Sequence, residues 1–311
     1  MSDFIDTVAA ALGLSRNACE VIAHTASKRY KVFEIPKRNG RGVRVVAQPA
    51  REVKALQRTI VGLLEQRLPI HPAATAYKHG ASIMRNATPH LRAKFITKLD
   101  FEGFFPSIDR ASLGRHLKQH LVDLTEVEIA FILSSCMWKP KGAEVQRLCI
   151  GAPSSPLLSN FVMYPIDTDI TRMCAEVGAV YTRYSDDICI SAERPDVLGP
   201  LEGGIRARIA ENRWPILKIN EGKRVAVGRG HAMNVTGITL SNQGVATVGR
   251  QRKRGVRAGA MRYLSGLLTP DEIVRLKGEI AFVVSVERSF RNVLLRTYGE
   301  DIRPLLPRIP L

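Results

Sequence analysis

The chain has few cysteines and no long apolar run, and each shortage argues against a class of protein. Its five cysteines are scattered without a Cys-x-x-Cys pair, and their odd number argues against a disulfide framework. No apolar segment approaches the roughly 20 residues that span a bilayer. The first residues, 1–6, are acidic where a signal peptide would be basic. We therefore expect a cytoplasmic protein with reduced, mostly buried thiols.

Acidic residues are also scarce relative to basic ones. Asp and Glu number 29 against 46 Lys and Arg, which gives a formal charge of +17 and favours a polyanionic partner such as nucleic acid. With 311 residues and 45% hydrophobic content, the chain is able to bury a substantial core. No repeat or additional catalytic domain is evident, so RNase H or effector activity would have to come from another chain.

Two adjacent carboxylates lie in the turn of a predicted hairpin. The tetrapeptide 184–187, Tyr-Ser-Asp-Asp, separates two β-rich runs, so the turn would present Asp186 and Asp187. Asp100 ends another strand-like run, and adjacent strands would bring it to the same divalent ions. Acidic residues in turns are often only solvated. The choice between a metal site and an ordinary turn therefore depends on the neighbouring segments of the sequence.

Those segments contain two further blocks. Phe105 stands five positions after Asp100, and Gly151-Ala-Pro-Ser-Ser-Pro156 precedes the acidic pair. Together with the tetrapeptide, these blocks resemble motifs A, B and C of reverse transcriptases. The resemblance implies that Asp100 and Asp186 bridge two Mg²⁺ ions, with Asp187 as a peripheral third carboxylate and the carbonyl of Phe101 as an additional ligand. Such ions, on the order of 3.5–4 Å apart, activate the primer hydroxyl and neutralise the triphosphate.

The same resemblance implies which residues bind the nucleotide. Phe105 would pack under the incoming sugar and select deoxynucleotides, the alternative being an ordinary core aromatic. The resemblance also places Phe101 in the pocket that binds the incoming nucleotide. Gly151 and Ala152 would lie beneath the nascent base pair, although Ile150 stands where the family often has glutamine.

Basic residues on both sides of the central motifs complete the implied chemistry. A basic, glycine-containing connection upstream resembles the fingers hairpin, in which Lys37 or Arg38, with Arg44, would hold the triphosphate; the alternative is a solvated hairpin tip. Downstream, Lys223 lies in a segment that resembles motif D and is a candidate general acid for the pyrophosphate leaving group. A surface lysine is the alternative there.

Two short blocks narrow the resemblance to retron reverse transcriptases. Asn86-Ala-Thr-Pro-His90 and Val235-Thr-Gly237 match the Asn-Ala-x-x-His and Val-Thr-Gly signatures, while Ser185 departs from the usual alanine. We predict that these signature positions bind RNA. They are Asn86, His90, Val235, Thr236 and Gly237.

The retron resemblance also implies a product and partners. The enzyme would copy its cognate non-coding RNA from a 2′-hydroxyl of a guanosine in that RNA, leaving branched, RNA-linked DNA (msDNA). It would use dNTPs and act in phage defence with a separate effector protein. A group II intron-like or other bacterial reverse transcriptase, and a non-catalytic RNA-binding scaffold, remain alternatives.

The implied fold is α+β, a right-hand polymerase with fingers, a ferredoxin-like antiparallel palm and a helical thumb. We predict N-terminal helices and fingers at 1–93, the palm with interleaved fingers helices at 94–249, and the thumb at 250–311. A cluster of cations at the thumb entrance would contact the nucleic-acid backbone, the alternative being a solvated surface. The cluster members assigned to RNA are Arg252, Lys253, Arg254 and Arg257.

Several element boundaries follow from local patterns. Capping-box spacing predicts helices that begin after Thr125 and Thr269. A helix is predicted over Arg51–Leu68, a proline-kinked helix after Pro156, and a helix weakened by Gly203-Gly204.

Overall fold

Helices and short antiparallel strands make up the chain, which the computed structural model describes over residues 3–37 and 42–308. The strands are β1 (Tyr30–Pro36), β2 (Val43–Pro49), β3 (Phe95–Asp100), β4 (Val180–Tyr184), β5 (Asp187–Ala192), β6 (Val225–Gly228), β7 (Met233–Val235), β8 (Ile238–Leu240) and β9 (Ala246–Thr247). The helices are α1 (Phe4–Leu12), α2 (Arg16–Thr25), α3 (Arg51–Leu64), α4 (Ile83–Ala87), α5 (Phe104–Ser107), α6 (Arg110–His120), α7 (Glu126–Cys136), α8 (Ser155–Val162), α9 (Tyr164–Glu176), α10 (Leu198–Glu211), α11 (Arg250–Leu264), α12 (Pro270–Val286) and α13 (Phe290–Tyr298).

Side-chain caps begin the two helices for which they were predicted. The hydroxyls of Thr125 and Thr269 each accept a hydrogen bond from the backbone N–H three residues on, and the carboxylates of Glu128 and Glu272 accept one from the backbone N–H of the cap residue. Helix α3 begins at Arg51 as predicted but ends before the predicted Leu68. The regular helix gives way to turns after Leu64, whose carbonyl accepts hydrogen bonds from the backbone N–H groups of both residue 67 and residue 68.

Two predicted interruptions have different outcomes. The chain after Pro156 breaks at Met163 into α8 and α9, and Pro165 lies in the first turn of α9, where its missing N–H costs no hydrogen bond. Helix α10, by contrast, continues through Gly203-Gly204. A Cβ on Gly204 would lie 2.6 Å from the Cε of Met173, so this glycine lets α10 pack closely against α9.

The central sheet has four antiparallel strands in the order β4-β5-β3-β6. Helices separate β3 from β4 and β5 from β6, while β4 and β5 form a direct hairpin. This βαββαβ arrangement is the ferredoxin-like palm that was predicted. Strand β3 therefore lies beside β5, the strand that follows the acidic turn.

Two smaller sheets flank the palm. Strands β1 and β2 pair along their whole length, from Tyr30 opposite Pro49 to Pro36 opposite Val43, which confirms the predicted upstream hairpin. Strands β7, β8 and β9 form a three-stranded antiparallel sheet. The turn between β8 and β9 is closed by the backbone N–H of Ser241, which donates to the carbonyl of Val245.

Distinct apolar cores link these elements. Helices α1–α3 share one core with α6–α8, although β3 separates the two groups in sequence. Helices α9 and α10 cover one face of the palm sheet, β7–β9 pack against its other face, and α11–α13 form a core of their own. All five cysteines are buried as free thiols. Within the described ranges, no helix is both long and apolar enough to cross a membrane.

Candidate active site

The turn between β4 and β5 ties the hairpin to the neighbouring strand. Ser185 has φ of 61°, in the left-handed region where residues other than glycine are uncommon. The carbonyl of Asp186 accepts a hydrogen bond of 3.1 Å from the backbone N–H of Phe101. Because Asp100 is paired directly with Asp187 in the ladder, the end of β3 and the turn lie together.

Three carboxylates meet at this point. One oxygen from each of Asp100, Asp186 and Asp187 lies within 4.8 Å of the others. In the part of the chain that the structure describes, no other group of three His, Cys, Asp or Glu residues has this proximity. Carboxylate oxygens are the hard ligands that divalent cations such as Mg²⁺ prefer.

The electrostatics of the cluster also suit a cation. Burial, a hydrogen bond with Asp100 and repulsion from Asp186 raise the pKa of Asp187 from 3.8 to about 7, although its side chain reaches solvent. Burial and the charge of Asp100 also raise the pKa of Asp186. A divalent cation would stabilise all three ionised carboxylates. The donor set therefore fits a divalent metal.

Three cationic side chains line the same cavity of about 310 Å³: Arg44 on β2, Lys98 on β3 and Lys223. The Nζ of Lys223 lies 2.7 and 2.8 Å from the two carboxylate oxygens of Asp100. The structure thus brings two of the predicted catalytic and triphosphate residues, Lys223 and Arg44, to the carboxylates. Lys37 lies where β1 ends and the connecting turn begins, and its backbone N–H donates to the carbonyl of Gly42. Arg38 lies outside the described residues.

The aromatic residues after Asp100 differ in accessibility. Phe101 is only 2% exposed and its ring stacks on Phe104, with centroids 5.7 Å apart, so only its main chain is available to a ligand. Phe105 is half-buried where the two largest apolar cores meet, and its ring centroid lies 6.2 Å from that of Tyr77. The exposed part of Phe105 leaves it able to contact a bound molecule.

Gly151 lies where a strand and a loop approach closely. Its φ is 111°, and a Cβ there would lie 2.8 Å from the carbonyl oxygen of Ala47 on β2. The N–H of Ala47 donates to the carbonyl of Ile150 at 2.8 Å, while Ala152 is buried beside Ala47. Glycine is therefore required for β2 to pack on the loop that precedes α8.

Asn86 and His90, which were predicted to bind RNA, have buried side chains. Asn86 is 1% exposed; it accepts a hydrogen bond from Thr75 and donates one to the hydroxyl of Thr236. His90 is fully buried, with its ring nitrogens 2.6 Å from Ser191 Oγ and 2.8 Å from the hydroxyl of a β4 threonine. Asn86 joins the two retron-like blocks to each other, and His90 joins the first block to the β4–β5 hairpin.

The Val-Thr-Gly block forms the turn between β7 and β8. The side chain of Val235, which was predicted to bind RNA, is likewise buried, with 1% of the residue exposed. Thr236 and Gly237 both have positive φ, and the N–H of Gly237 donates to the side chain of Asn234. The buried partner of Thr236 is Asn86, so only this turn's main chain and partly exposed atoms remain for RNA.

The predicted thumb cations lie on α11, and some are already paired. Arg252 contacts Glu279 and lies over the ring of Phe282, 4.4 Å from its centroid. Lys253 pairs with Glu287 at 2.9 Å. Arg254 is exposed, and Arg257 is exposed with its guanidinium over a phenylalanine ring. The last two are the more available to a phosphate backbone.

No role was predicted for Arg183, yet it is the largest fully buried side chain and lies directly before the acidic tetrapeptide. It forms a bidentate ion pair with Asp167, which is also fully buried. The sequence gives no clear signal for this pair, because α9 has several other charged residues besides Asp167.

Known proteins resemble this chain in sequence. The family model described as reverse transcriptase (RNA-dependent DNA polymerase) matches residues 35–240. The chain is 37% identical over 276 residues to Retron Ec83 reverse transcriptase of Escherichia coli, covering 88% of each protein. It is 28% identical to Retron Ec86 reverse transcriptase of the same species, covering 96% of this chain and 89% of the relative.

A solved structure resembles it in fold. Telomerase from Candida albicans, in complex with a TWJ fragment of telomeric RNA, matches with a TM-score of 0.50 and 12% identity. The match covers 92% of this chain and 56% of that chain. At this identity the likeness concerns the fold alone, and it agrees with a right-hand polymerase.

Proposed function

Because the chain belongs to the reverse transcriptase family, among the bacterial retron enzymes, it is an RNA-directed DNA polymerase, and we propose that it copies a cognate structured non-coding RNA into single-stranded, RNA-linked DNA. The observation that supports this proposal most strongly is the meeting of three carboxylates and three cations in one cavity. The retron-like blocks pack directly behind that cavity's hairpin.

We assign metal binding to Asp100, Asp186, Asp187 and the carbonyl of Phe101. When bound, two Mg²⁺ ions would activate the primer 3′-hydroxyl and neutralise the triphosphate. The protein's own part is to hold the three carboxylates in place, Asp100 at the end of β3, Asp186 in the β4–β5 turn and Asp187 at the start of β5. Little reorganisation of these groups would then accompany catalysis. Asp100 has a second role in this scheme, because it fixes the ammonium group of Lys223 beside the site.

The remaining residues would orient the dNTP and its leaving group. Arg44 would bind the triphosphate from β2 with Lys37 or Arg38, and Lys223 would donate a proton to pyrophosphate. Phe105 would exclude a 2′-hydroxyl, with Gly151 and Ala152 beneath the base pair. In this scheme the fingers comprise 1–93, the palm 94–249 and the thumb 250–311.

We further propose that priming starts from a 2′-hydroxyl in the RNA, that a separate effector protein completes a phage-defence system, and that the enzyme acts in the cytoplasm. Arg254, Arg257, Thr236 and Gly237 would contact RNA, with Arg252 and Lys253 at the edge of that surface. The support is the family membership and the excess of positive charge.

The test is to purify the protein from its own host and identify its nucleic acid. We expect one structured RNA species and, after RNA digestion, a discrete single-stranded DNA that retains a 2′-linked nucleotide at its 5′ end. An Asp186→Asn chain purified in parallel should retain the RNA and lack the DNA. Heterogeneous DNA without a 2′ linkage would instead indicate a general reverse transcriptase.

A further inference from the structure

A buried guanidinium group lies directly behind the metal-binding turn. Arg183 and Asp167 are both fully buried, and their bidentate contact has N–O distances of 2.8 and 2.6 Å. Tyr181 donates its hydroxyl hydrogen to the same carboxylate at 2.6 Å. Removal of two charges from water is costly, so a net gain in stability does not by itself explain this buried pair.

The bidentate contact uses Nε and Nη2 of Arg183 and leaves Nη1 to reach the turn. Nη1 donates to the carbonyl of Ser185 at 2.8 Å and to the side-chain oxygen of Asn160 on α8 at 3.1 Å. The Arg183 main chain is fixed as well, because its carbonyl accepts hydrogen bonds from the N–H and hydroxyl of Thr75. Hydrogen bonds to Asp167 and Asn160 therefore fix the guanidinium in the orientation in which it reaches the carbonyl of Ser185.

Ser185 has a backbone conformation that needs such support. Its φ of 61° is unfavourable for a side chain with a Cβ, and the next two residues are the metal-binding carboxylates. A hydrogen bond to its carbonyl fixes the peptide that joins it to Asp186. Rotation of that peptide would redirect the Asp186 and Asp187 side chains away from Asp100.

We propose that Arg183, oriented by Asp167, is a positioning residue that holds the Ser185 turn in its left-handed conformation and so sets the geometry of metal binding. The inference rests on the proposed metal-binding role of Asp186 and Asp187. A lysine at position 183 would keep the positive charge for Asp167 but lacks the planar fork that also reaches Ser185.

The test compares Arg183→Lys with Arg208→Lys, a control at a second, less buried arginine that also pairs with an aspartate of α9. Arg208 lies on α10 and pairs with Asp169, which is on α9 like Asp167. Its other hydrogen bond is to the side chain of Asn212, not to the turn. Mn²⁺ binding to the full chain without nucleotide is measured by electron paramagnetic resonance, and Mg²⁺ dependence by primer extension. Arg183→Lys should weaken Mn²⁺ binding about tenfold, the worth of one hydrogen bond to a charged group, whereas Arg208→Lys should bind normally.

Two further variants keep the inference testable if Arg183→Lys does not fold. Tyr181→Phe removes one hydrogen bond to Asp167 and should weaken Mn²⁺ binding by a smaller factor while preserving the fold. Ser185→Gly, which removes the penalty of positive φ, should restore part of the binding lost in either variant. Unchanged Mn²⁺ binding in folded Arg183→Lys or Tyr181→Phe would overturn the inference, as would an absence of rescue by Ser185→Gly.

The result is separable from the proposed function. If Asp186→Asn extends primers normally, the metal assignment itself is wrong. If Asp186→Asn is inactive while folded Arg183→Lys binds Mn²⁺ like the native chain, only the positioning role fails.

Discussion

Protonation of His90 should destabilise the fold in a defined pH range. Its ring is fully buried between Thr182 on β4 and Ser191 on β5, with both nitrogens at hydrogen-bonding distance from hydroxyls. Burial lowers the pKa of His90 from 6.5 to about 4. The folded state therefore holds a neutral ring where the unfolded chain holds a charged one.

The sign and size of the effect follow from this difference. Because the folded-state pKa is lowered, the unfolded chain binds more protons between pH 6.5 and 4. The contribution of His90 to stability is complete above pH 6.5 and is lost as the pH falls towards 4. At pH 4.5 the loss should be about 2–3 kcal/mol, since one pKa unit corresponds to roughly 1.4 kcal/mol.

The assay is urea unfolding of the native chain and of His90→Gln from pH 7 to pH 4.5. Glutamine is able to bond the same hydroxyls but does not titrate, so the variant isolates the histidine from other groups. As the pH is lowered from 7 to 4.5, the free energy of unfolding should decrease more in the native chain than in His90→Gln. The difference between the two decreases should be about 2–3 kcal/mol. Parallel curves would refute the neutral, buried state of His90.

Three further substitutions test other parts of the site. Phe105→Ala should increase ribonucleotide incorporation relative to deoxynucleotide in competition assays; unchanged selectivity in an active variant would make Phe105 an ordinary core residue. Gly151→Ala should lower the free energy of unfolding by about 1–3 kcal/mol and slow extension, because its Cβ would approach Ala47 at 2.8 Å and its φ is positive; native stability would contradict this close approach. Asn86→Ala should slow self-primed synthesis and extension of an annealed DNA primer by similar factors, because it removes the hydrogen bonds to Thr75 and Thr236 behind the hairpin; a loss confined to self-primed synthesis would support a contact between Asn86 and RNA.

Much of the site's framework was predictable because its determinants are local. The hairpin around Asp186 and the two capping boxes follow from short-range patterns of turn and cap residues. The placement of Asp100 beside the turn follows from the strand order that the motif resemblance implied. Local patterns therefore predicted the hairpin that presents Asp186 and Asp187, and the resemblance added Asp100 to the site.

The sequence did not reveal which polar side chains are buried. Asn86 and His90 are polar residues in a short helical segment, and nothing in their spacing indicates that hydroxyls from distant strands surround them. The Arg183–Asp167 pair likewise depends on α9 packing across β4. Such contacts arise from tertiary packing, which periodicity along one segment does not encode.

The most direct test of the central claim measures primer extension and RNA affinity together for Asp186→Asn and the native chain. Loss of one carboxylate from the cluster should abolish dNTP incorporation, while the basic surface should leave RNA affinity unchanged at matched salt. Circular dichroism and thermal melting of both chains provide the control for folding. Near-native extension by folded Asp186→Asn would contradict the assignment of this cluster as the catalytic metal site.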